Sequence, residues 1–294
     1  MKLNKNLVAL SFCAILAFSS CSSDDDAVKG FTPGEQVVSA FKKQFPNAKD
    51  VTWSQKKGYD VASFSLAAGT RTVKQLNEAW YKQNGVCSLT EIEIDDFSLL
   101  PAAVQEGYNA TIFAAEGWKI DDIDLLYRID MDPVYKIEVE KDGQEDYDLL
   151  FSETGVLISA KVDADNDNDD NEPVEVPQAI LDFVSAHFGD AKILDLDYEN
   201  NEVEVEILAR GEEMSLYFEK ATNHFIRVEI EIEDNELPAA ILDVLHQDYA
   251  GWEIDDACYV AFADKSVQYK VELENERLDK ESTLWFLPNG EMVK

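Results

Sequence analysis

Four short turns recur along this chain at nearly constant spacing, and no other feature restricts its fold as much. "WYKQNG" (Trp80–Gly85), "LFSETG" (Leu150–Gly155), "YFEKAT" followed by Asn223 (Tyr217–Thr222) and "WFLPNG" (Trp285–Gly290) each set an aromatic pair or neighbour just before a turn. The marker positions Gly85, Gly155, Asn223 and Gly290 are 70, 68 and 67 residues apart. A fixed period with matching chemistry marks an internal repeat. Asn-Gly and Thr-Gly tolerate positive φ and mark hairpins. The chain is therefore read as four similar units. "LPAA" at Leu100 and Leu237, with "GWKIDD" from Gly117 and "GWEIDD" from Gly251, occurs only in the second and fourth units. The higher period is two units.

Each unit opens on a helical pattern. In "TPGE", Thr32 is the expected N-cap, Pro33 the first helical residue and Glu35 the third, a capping box with a proline start. Val37, Val38, Phe41 and Phe45 follow at helical spacing. Leu100-Pro101, Val176-Pro177 and Leu237-Pro238 use the same device, because proline's missing N–H costs nothing in a first turn. LPAA is thus a helix start rather than a catalytic motif. Strands follow: "EVEVEIL" (Glu202–Leu208) alternates Val203, Val205 and Ile207 with Glu202, Glu204 and Glu206. "YKIEVE", "RVEIEIE" and "YKVELE" alternate likewise, the pattern of an antiparallel sheet with one packed and one wet face. With helices on the packed face the fold class is α+β: four repeated helix-plus-antiparallel-sheet units, paired into two tandem domains. The domains span 31–162 and 173–294, divided by an acidic linker over 163–175 that is expected to be a solvated spacer.

The N-terminal segment is read as a targeting signal. Lys2 and Lys5 precede the apolar run "LVALSFCAILAF", too short to span a bilayer, and Ser19-Ser20 lead into Cys21. This resembles a bacterial lipoprotein signal over 1–20, with Cys21 carrying the lipid; an ordinary secretory peptide is the alternative. "SSDDDAVKG" continues as a flexible acidic tether over 21–30, and it resembles the export signal of surface lipoproteins in Bacteroidetes. Expected is an outer-membrane lipid-anchored protein, surface-exposed, with a periplasm-facing anchor as the alternative. Cleavage removes Lys2 and Lys5 and takes the net charge from −35 to −37. Such a charge opposes nucleic acid and anionic membrane surfaces and leaves the lipid as the sole membrane contact. Cys87 and Cys258, one per half, are no disulfide framework and read as buried free thiols.

No catalytic constellation stands out, and the chain is read as no enzyme. His187, His224 and His246 form no metalloprotease or nucleophile-base motif, and the first and last of these sit late in helices, where capping is common. The pairs Asp121-Asp122 and Asp255-Asp256 read as turns or caps. Trp80, Trp285, Tyr217 and Phe151 are assigned to core packing under the helices, and Trp118 and Trp252 to the helix-to-sheet corners. Asp163, Asp165, Asp167 and Asp169 alternate like calcium ligands, yet a loop from Asp165 has Asp170 and Val176 where Gly and Glu are needed. A loop from Asp163 fails similarly, with Asn168 and Val174. No cofactor is expected, with calcium as the weak exception.

"AFKKQFPNAKDVTWSQKKGYDVASF" (Ala40–Phe64), "LPAAVQEGY", "GWKIDDI" and "WYKQNG" together resemble the PepSY-like, β-lactamase-inhibitor-like domains of secreted Bacteroidetes proteins. The resemblance covers nearly all the mature chain as two tandem domains, strongest over 35–162 and weaker over 173–294, where the Phe-Pro-Asn-Ala run becomes "HFGDAKI". It implies two α+β subunits per domain and a sheet whose concave face binds a protein or peptide partner, some relatives being inhibitors. The expected function is a non-catalytic envelope module, with the acidic sheet face of Glu202, Glu204 and Glu206 toward the partner. The alternative is a structural or calcium-responsive surface lipoprotein, and glycan binding is a third reading.

Overall fold

The computed structural model describes residues 31–66, 77–163, 171–275 and 280–293. The first unit comprises α1 (Glu35–Gln44), β1 (Lys49–Lys56), β2 (Tyr59–Ser65), β3 (Asn77–Tyr81) and β4 (Cys87–Glu93). The second has α2 (Ala102–Ala110), a short α3 (Ile112–Ala115), β5 (Lys119–Arg128), β6 (Val134–Glu140), β7 (Tyr147–Ser152) and β8 (Leu157–Val162). The third runs through α4 (Gln178–Phe188), β9 (Lys192–Glu199), β10 (Glu202–Ala209), β11 (Glu212–Glu219) and β12 (Phe225–Glu231). The fourth holds α5 (Ala239–Asp248), β13 (Glu253–Phe262), β14 (Val267–Asn275) and β15 (Lys280–Phe286), followed by an isolated bridge from Phe286 to Met292. Strands β1–β8 form one eight-stranded antiparallel meander and β9–β15 a seven-stranded one. The fold is α+β, with four helix-plus-meander units paired two to a sheet.

Why LPAA is written twice is visible where the hairpin turns meet the helices. Gly85, Gly155, Asn223 and Gly290 all have positive φ, at 83°, 85°, 55° and 84°. Three of these turns also press on the first turn of their helix. A Cβ on Gly155 would collide with the Ala103 carbonyl oxygen, and one on Gly290 would lie 2.6 Å from that of Ala240. Gly85 meets Gln36 less tightly, at 3.1 Å. The small side chains of LPAA let a glycine turn seat against helix backbone. Pro101, Pro177 and Pro238 are each the N-cap immediately before a helix, one place ahead of the expected first-turn position. The first helix differs: it starts at Glu35 with extended Gly34 as N-cap, so Pro33 lies outside it and Thr32 is not the cap.

One face of each sheet packs on its helices. Val37 and Phe41 of α1 cover Ala62, Phe64, Ala79 and Tyr81, and Val104 and Tyr108 of α2 cover Ile137, Leu149 and Phe151. Ile180 and Val184 of α4 cover Val203, Val205 and Ile207, while Ile241 and Leu245 of α5 cover Val271, Leu273 and Phe286. Trp118 packs on Phe113 and Tyr147, and Trp252 on Tyr249, at the helix-to-sheet corners.

The opposite face departs from expectation on the first sheet. It is not wholly wet: Val61, Trp80, Leu89, Leu126 and Val134 form a buried cluster there, closed by Leu194 of β9. Trp80 therefore does not lie under a helix. Strand alternation sends its neighbours Ala79 and Tyr81 to α1 and Trp80 to the other side. The linker is also not merely solvated in its described part. Lys57 pairs with Glu172, Lys82 pairs with Glu175 at 2.5 Å, and Asn171 donates to Glu91 at 2.9 Å. The first sheet supplies the cations that an acidic spacer lacks. Asp121-Asp122 and Asp255-Asp256 are neither turns nor caps: they lie within β5 and β13, where the register of both strands shifts. These are β-bulges, repeated in the same place in the second and fourth units. Among the described residues no helix is long and apolar enough to cross a membrane.

Candidate functional site

The helix-free face of the second sheet is the complement of the buried face of the first. By strand register, the places of Val61, Trp80 and Leu89 are taken by Glu204, Tyr217 and Arg227: Val61 lies opposite Trp80 and Trp80 opposite Leu89, as Glu204 lies opposite Tyr217 and Tyr217 opposite Arg227. Alternation in β10 puts Val203, Val205 and Ile207 into the core and Glu202, Glu204 and Glu206 on this face. Pairing of β10 with β11, and of β11 with β12, then brings in residues that single strands do not announce. Glu206 lies opposite Ser215, Glu204 opposite Tyr217, and Tyr217 opposite Arg227. The three glutamates are gathered as expected. None of them is a free carboxylate, which corrects the picture of an acidic comb held out to solvent.

Arg227 organises one half of the face. Its guanidinium stacks on the Tyr217 ring at 3.6 Å, donates to Glu229 at 2.6 Å and to Glu202 at 2.8 Å. The Tyr217 hydroxyl donates to Glu204, and Lys270 lies 2.9 Å from Glu272 and 3.6 Å from Glu229. Trp285 joins these residues around a depression of about 420 Å³. Trp285 and Tyr217, like Trp80, are therefore on the helix-free side, whereas Phe151 does pack under a helix. The parity of "RVEIEIE" already sets Arg227 with the glutamates. The strand register that stacks it on Tyr217 is a tertiary fact.

The other half is a carboxylate pocket of about 230 Å³, walled by Leu157 and Ile158 of the first sheet. Glu204, Glu206, Glu213, Glu229, Glu231 and Asp256 line it. Burial pushes Glu206 up to about 8, against a Ser215 hydroxyl that donates to it at 2.8 Å, while Glu204, Glu213 and Asp195 push it further. Burial likewise takes Glu213 to about 7, with Glu231 adding to the shift. Desolvation disfavours the charged form, and crowded carboxylates share protons. At neutral pH this pocket is less negative than its composition implies. Cys258 beside it donates to Asp256 at 3.4 Å, and burial first, then that carboxylate, raise its thiol pKa. Cys258 is a buried free thiol; Cys87 is free but only half-buried.

The other candidates separate. His187 ends α4, its Nδ1 2.9 Å from the Phe183 carbonyl and its ring stacked on Phe183 at 4.1 Å, and His246 lies in the last turn of α5. Among the described residues no group of three or more His, Cys, Asp or Glu side chains is arranged to hold a metal. Asp163 directly follows β8, its N–H donating to the Asp146 carbonyl at 2.8 Å. Asp165, Asp167 and Asp169, like the expected signal over 1–20 and Cys21, lie outside the described residues.

Solved structures similar to this chain each match about half of it. A BLIP-like protein of Bacteroides fragilis is 28% identical, covers 49% of this chain and 94% of its own length, and has a TM-score of 0.43. A DUF2874 family protein of Bacteroides ovatus is 25% identical, with 45% and 89% coverage and a TM-score of 0.41. A Bacteroides eggerthii protein described as "putative periplasmic" is 22% identical, with 45% and 90% coverage and a TM-score of 0.40. No curated protein matches the chain. The family model described as "Putative beta-lactamase-inhibitor-like, PepSY-like" matches residues 57–159, 172–227 and 223–294. Together these segments span well over half of the sequence, and the chain belongs to the PepSY-like, beta-lactamase-inhibitor-like family.

Proposed function

We propose that this protein is a non-catalytic binding module of the cell envelope, which receives a protein or peptide partner on the helix-free face of its second sheet. One observation carries the reading: the corresponding face of the first sheet is filled by the chain itself, whereas that of the second keeps an Arg-Tyr-Trp patch beside an acidic pocket. Aromatic and arginine anchors next to a charged rim suit a protein interface. The excess of carboxylates favours a partner with a basic patch, and long-range attraction speeds encounter. The proposed arrangement is two tandem domains, 31–162 and 173–294, tethered through Cys21 to the outer membrane and exposed at the surface. The BLIP-like name of the Bacteroides fragilis relative supports binding as the class of activity and leaves the target unnamed.

The test starts from capture of an envelope protein on immobilised chain and proceeds to kinetics. Reversing Glu202, Glu204 and Glu206 to lysine lowers the association rate for the captured protein by about tenfold at low salt and flattens its salt dependence. An unchanged rate, with the variant folded, sinks the assignment of this face.

A further inference from the structure

The buried face of the first sheet has the anatomy of a site that reads an extended peptide. Leu194 is 1% exposed and enters a socket of Val61, Trp80, Leu89, Leu126 and Val134. It gets there by a β-bulge: Glu206 pairs with Asp195 and Ile207 with Ile193, so Leu194 is the extra residue of β9. Bulges re-aim a side chain away from the regular pleat.

The neighbours of Leu194 are read as well. The Ile193 carbonyl accepts the Asp132 N–H at 2.7 Å, and the Leu194 carbonyl accepts from Arg128 Nη2 at 2.5 Å. Arg128 Nη1 binds Asp195 Oδ1 at 2.5 Å, in a pair whose side chains are 7% and 8% exposed. Lys161 of β8 stands 4.0 Å from Asp195 and pairs with Asp197. Backbone bonds plus one apolar pocket and one charge pocket are the elements by which proteins recognise extended segments.

The socket is not fully used. The indole N–H of Trp80, a residue with no exposed surface, has no hydrogen-bond partner, and neither has Arg128 Nε. Buried donors are nearly always paired in permanent cores. Around the rim Lys161 pairs with Asp197, and Lys192 lies 3.6 Å from both Asp132 and Glu153, partly exposed ion pairs that salt screens.

We propose that this socket is a recognition site for an extended segment carrying leucine followed by aspartate. In the free molecule Ile193-Leu194-Asp195 fills it in cis. A protein segment of the same chemistry, with one further acceptor for the free donors, displaces it in trans. This site lies on the first sheet, apart from the Arg227–Tyr217 patch of the second, although Asp195 lies opposite Glu206 in the strand pairing.

The probe is a labelled peptide, Lys-Ile-Leu-Asp-Leu-Asp, corresponding to residues 192–197. The receptor is the mature chain carrying Leu194→Ala and Asp195→Asn. Acrylamide quenching, compared with the same chain carrying Trp80→Phe, reports whether Trp80 is uncovered. The expected result is an uncovered Trp80 and peptide binding at least about tenfold tighter than to the unsubstituted chain, because cis occupancy taxes the apparent affinity. Replacing the peptide's first leucine by alanine, or its first aspartate by asparagine, abolishes that gain. A Trp80 that stays shielded overturns the proposal. So does a folded, vacated chain that ignores the peptide, or binds it whatever its sequence. Leu194→Ala alone, which leaves the Arg128–Asp195 pair in place, takes the place of the double variant should that one fail to fold, with the same outcomes read.

Discussion

Glu206 shows how a single residue can be read correctly for place and incorrectly for state. Alternation in "EVEVEIL" sets it on the polar face, and there it is. Its charge depends on what lies across from it, and that is Leu157, Ile158, Glu204, Glu213 and Asp195. A carboxyl with a raised folded-state value binds more protons folded than unfolded between its ordinary value and about 8. Its contribution to stability therefore falls as pH rises through that window and stays lost above it. Glu206→Gln is expected to leave stability at pH 4 unchanged and to raise it at pH 8 by ~1–2 kcal/mol, less than the full shift implies because the side chain is half-buried. Urea melts of both chains at the two pH values check this; equal differences at both would refute it. Glycines give a second residue-level contrast. Gly155→Ala combines positive φ with a collision against the Ala103 carbonyl and is expected to cost about 3 kcal/mol. Gly143→Ala has the same φ sign and open space around it, so about 1 kcal/mol suffices. Thermal melts of the two variants rank them.

At the scale of elements, the repeat was legible because each unit repeats both its punctuation and its periodicity. Proline before a helix, a positive-φ residue in a hairpin and strict alternation are local requirements of backbone geometry. What LPAA does could not be read locally, since the turn that presses on Ala103 is Gly155 and the one on Ala240 is Gly290. The two alanines of each motif should consequently differ. Ala240 faces the turn and Ala239 is exposed. Ala240→Leu is expected to cost about 1–3 kcal/mol by overpacking, and Ala239→Leu to stay within about 0.5. Denaturant midpoints distinguish them, and equal midpoints would remove the packing explanation. The bulges at Asp121-Asp122 and Asp255-Asp256 escaped notice for a related reason. A doubled aspartate suits a turn and a bulge equally well, and only the pairing of β5 with β6 and of β13 with β14 shows which.

For the whole molecule the decisive contact is between the two sheets. Leu194 plugs the first sheet, and Arg128 with Asp195 locks it through a buried ion pair. Removing one partner strands a buried charge, so Arg128→Ala is expected to cost about 3 kcal/mol and to split a single thermal transition into two. Replacing both, as Arg128→Met with Asp195→Leu, is expected to recover most of that loss. Calorimetry on the three chains decides: a single transition in Arg128→Ala would mean that the halves are coupled by other contacts.

From its own letters the chain determined four units, their helix starts and hairpins, an α+β class, the inward and outward parity of each strand and a family resemblance. All of these rest on chemistry within a few residues of one another, repeated often enough to exclude accident. The tertiary structure decided which outward face stays wet. Trp80 and Tyr217 occupy matching places in matching turns, yet one is buried beneath Leu194 and the other stacks under Arg227 at an acidic cleft. The difference arises from a bulge in β9 and the docking of one sheet on another. Such contacts join residues far apart in the chain, 67 positions for Arg128 and Asp195 and 114 for Trp80 and Leu194, and no local period encodes them.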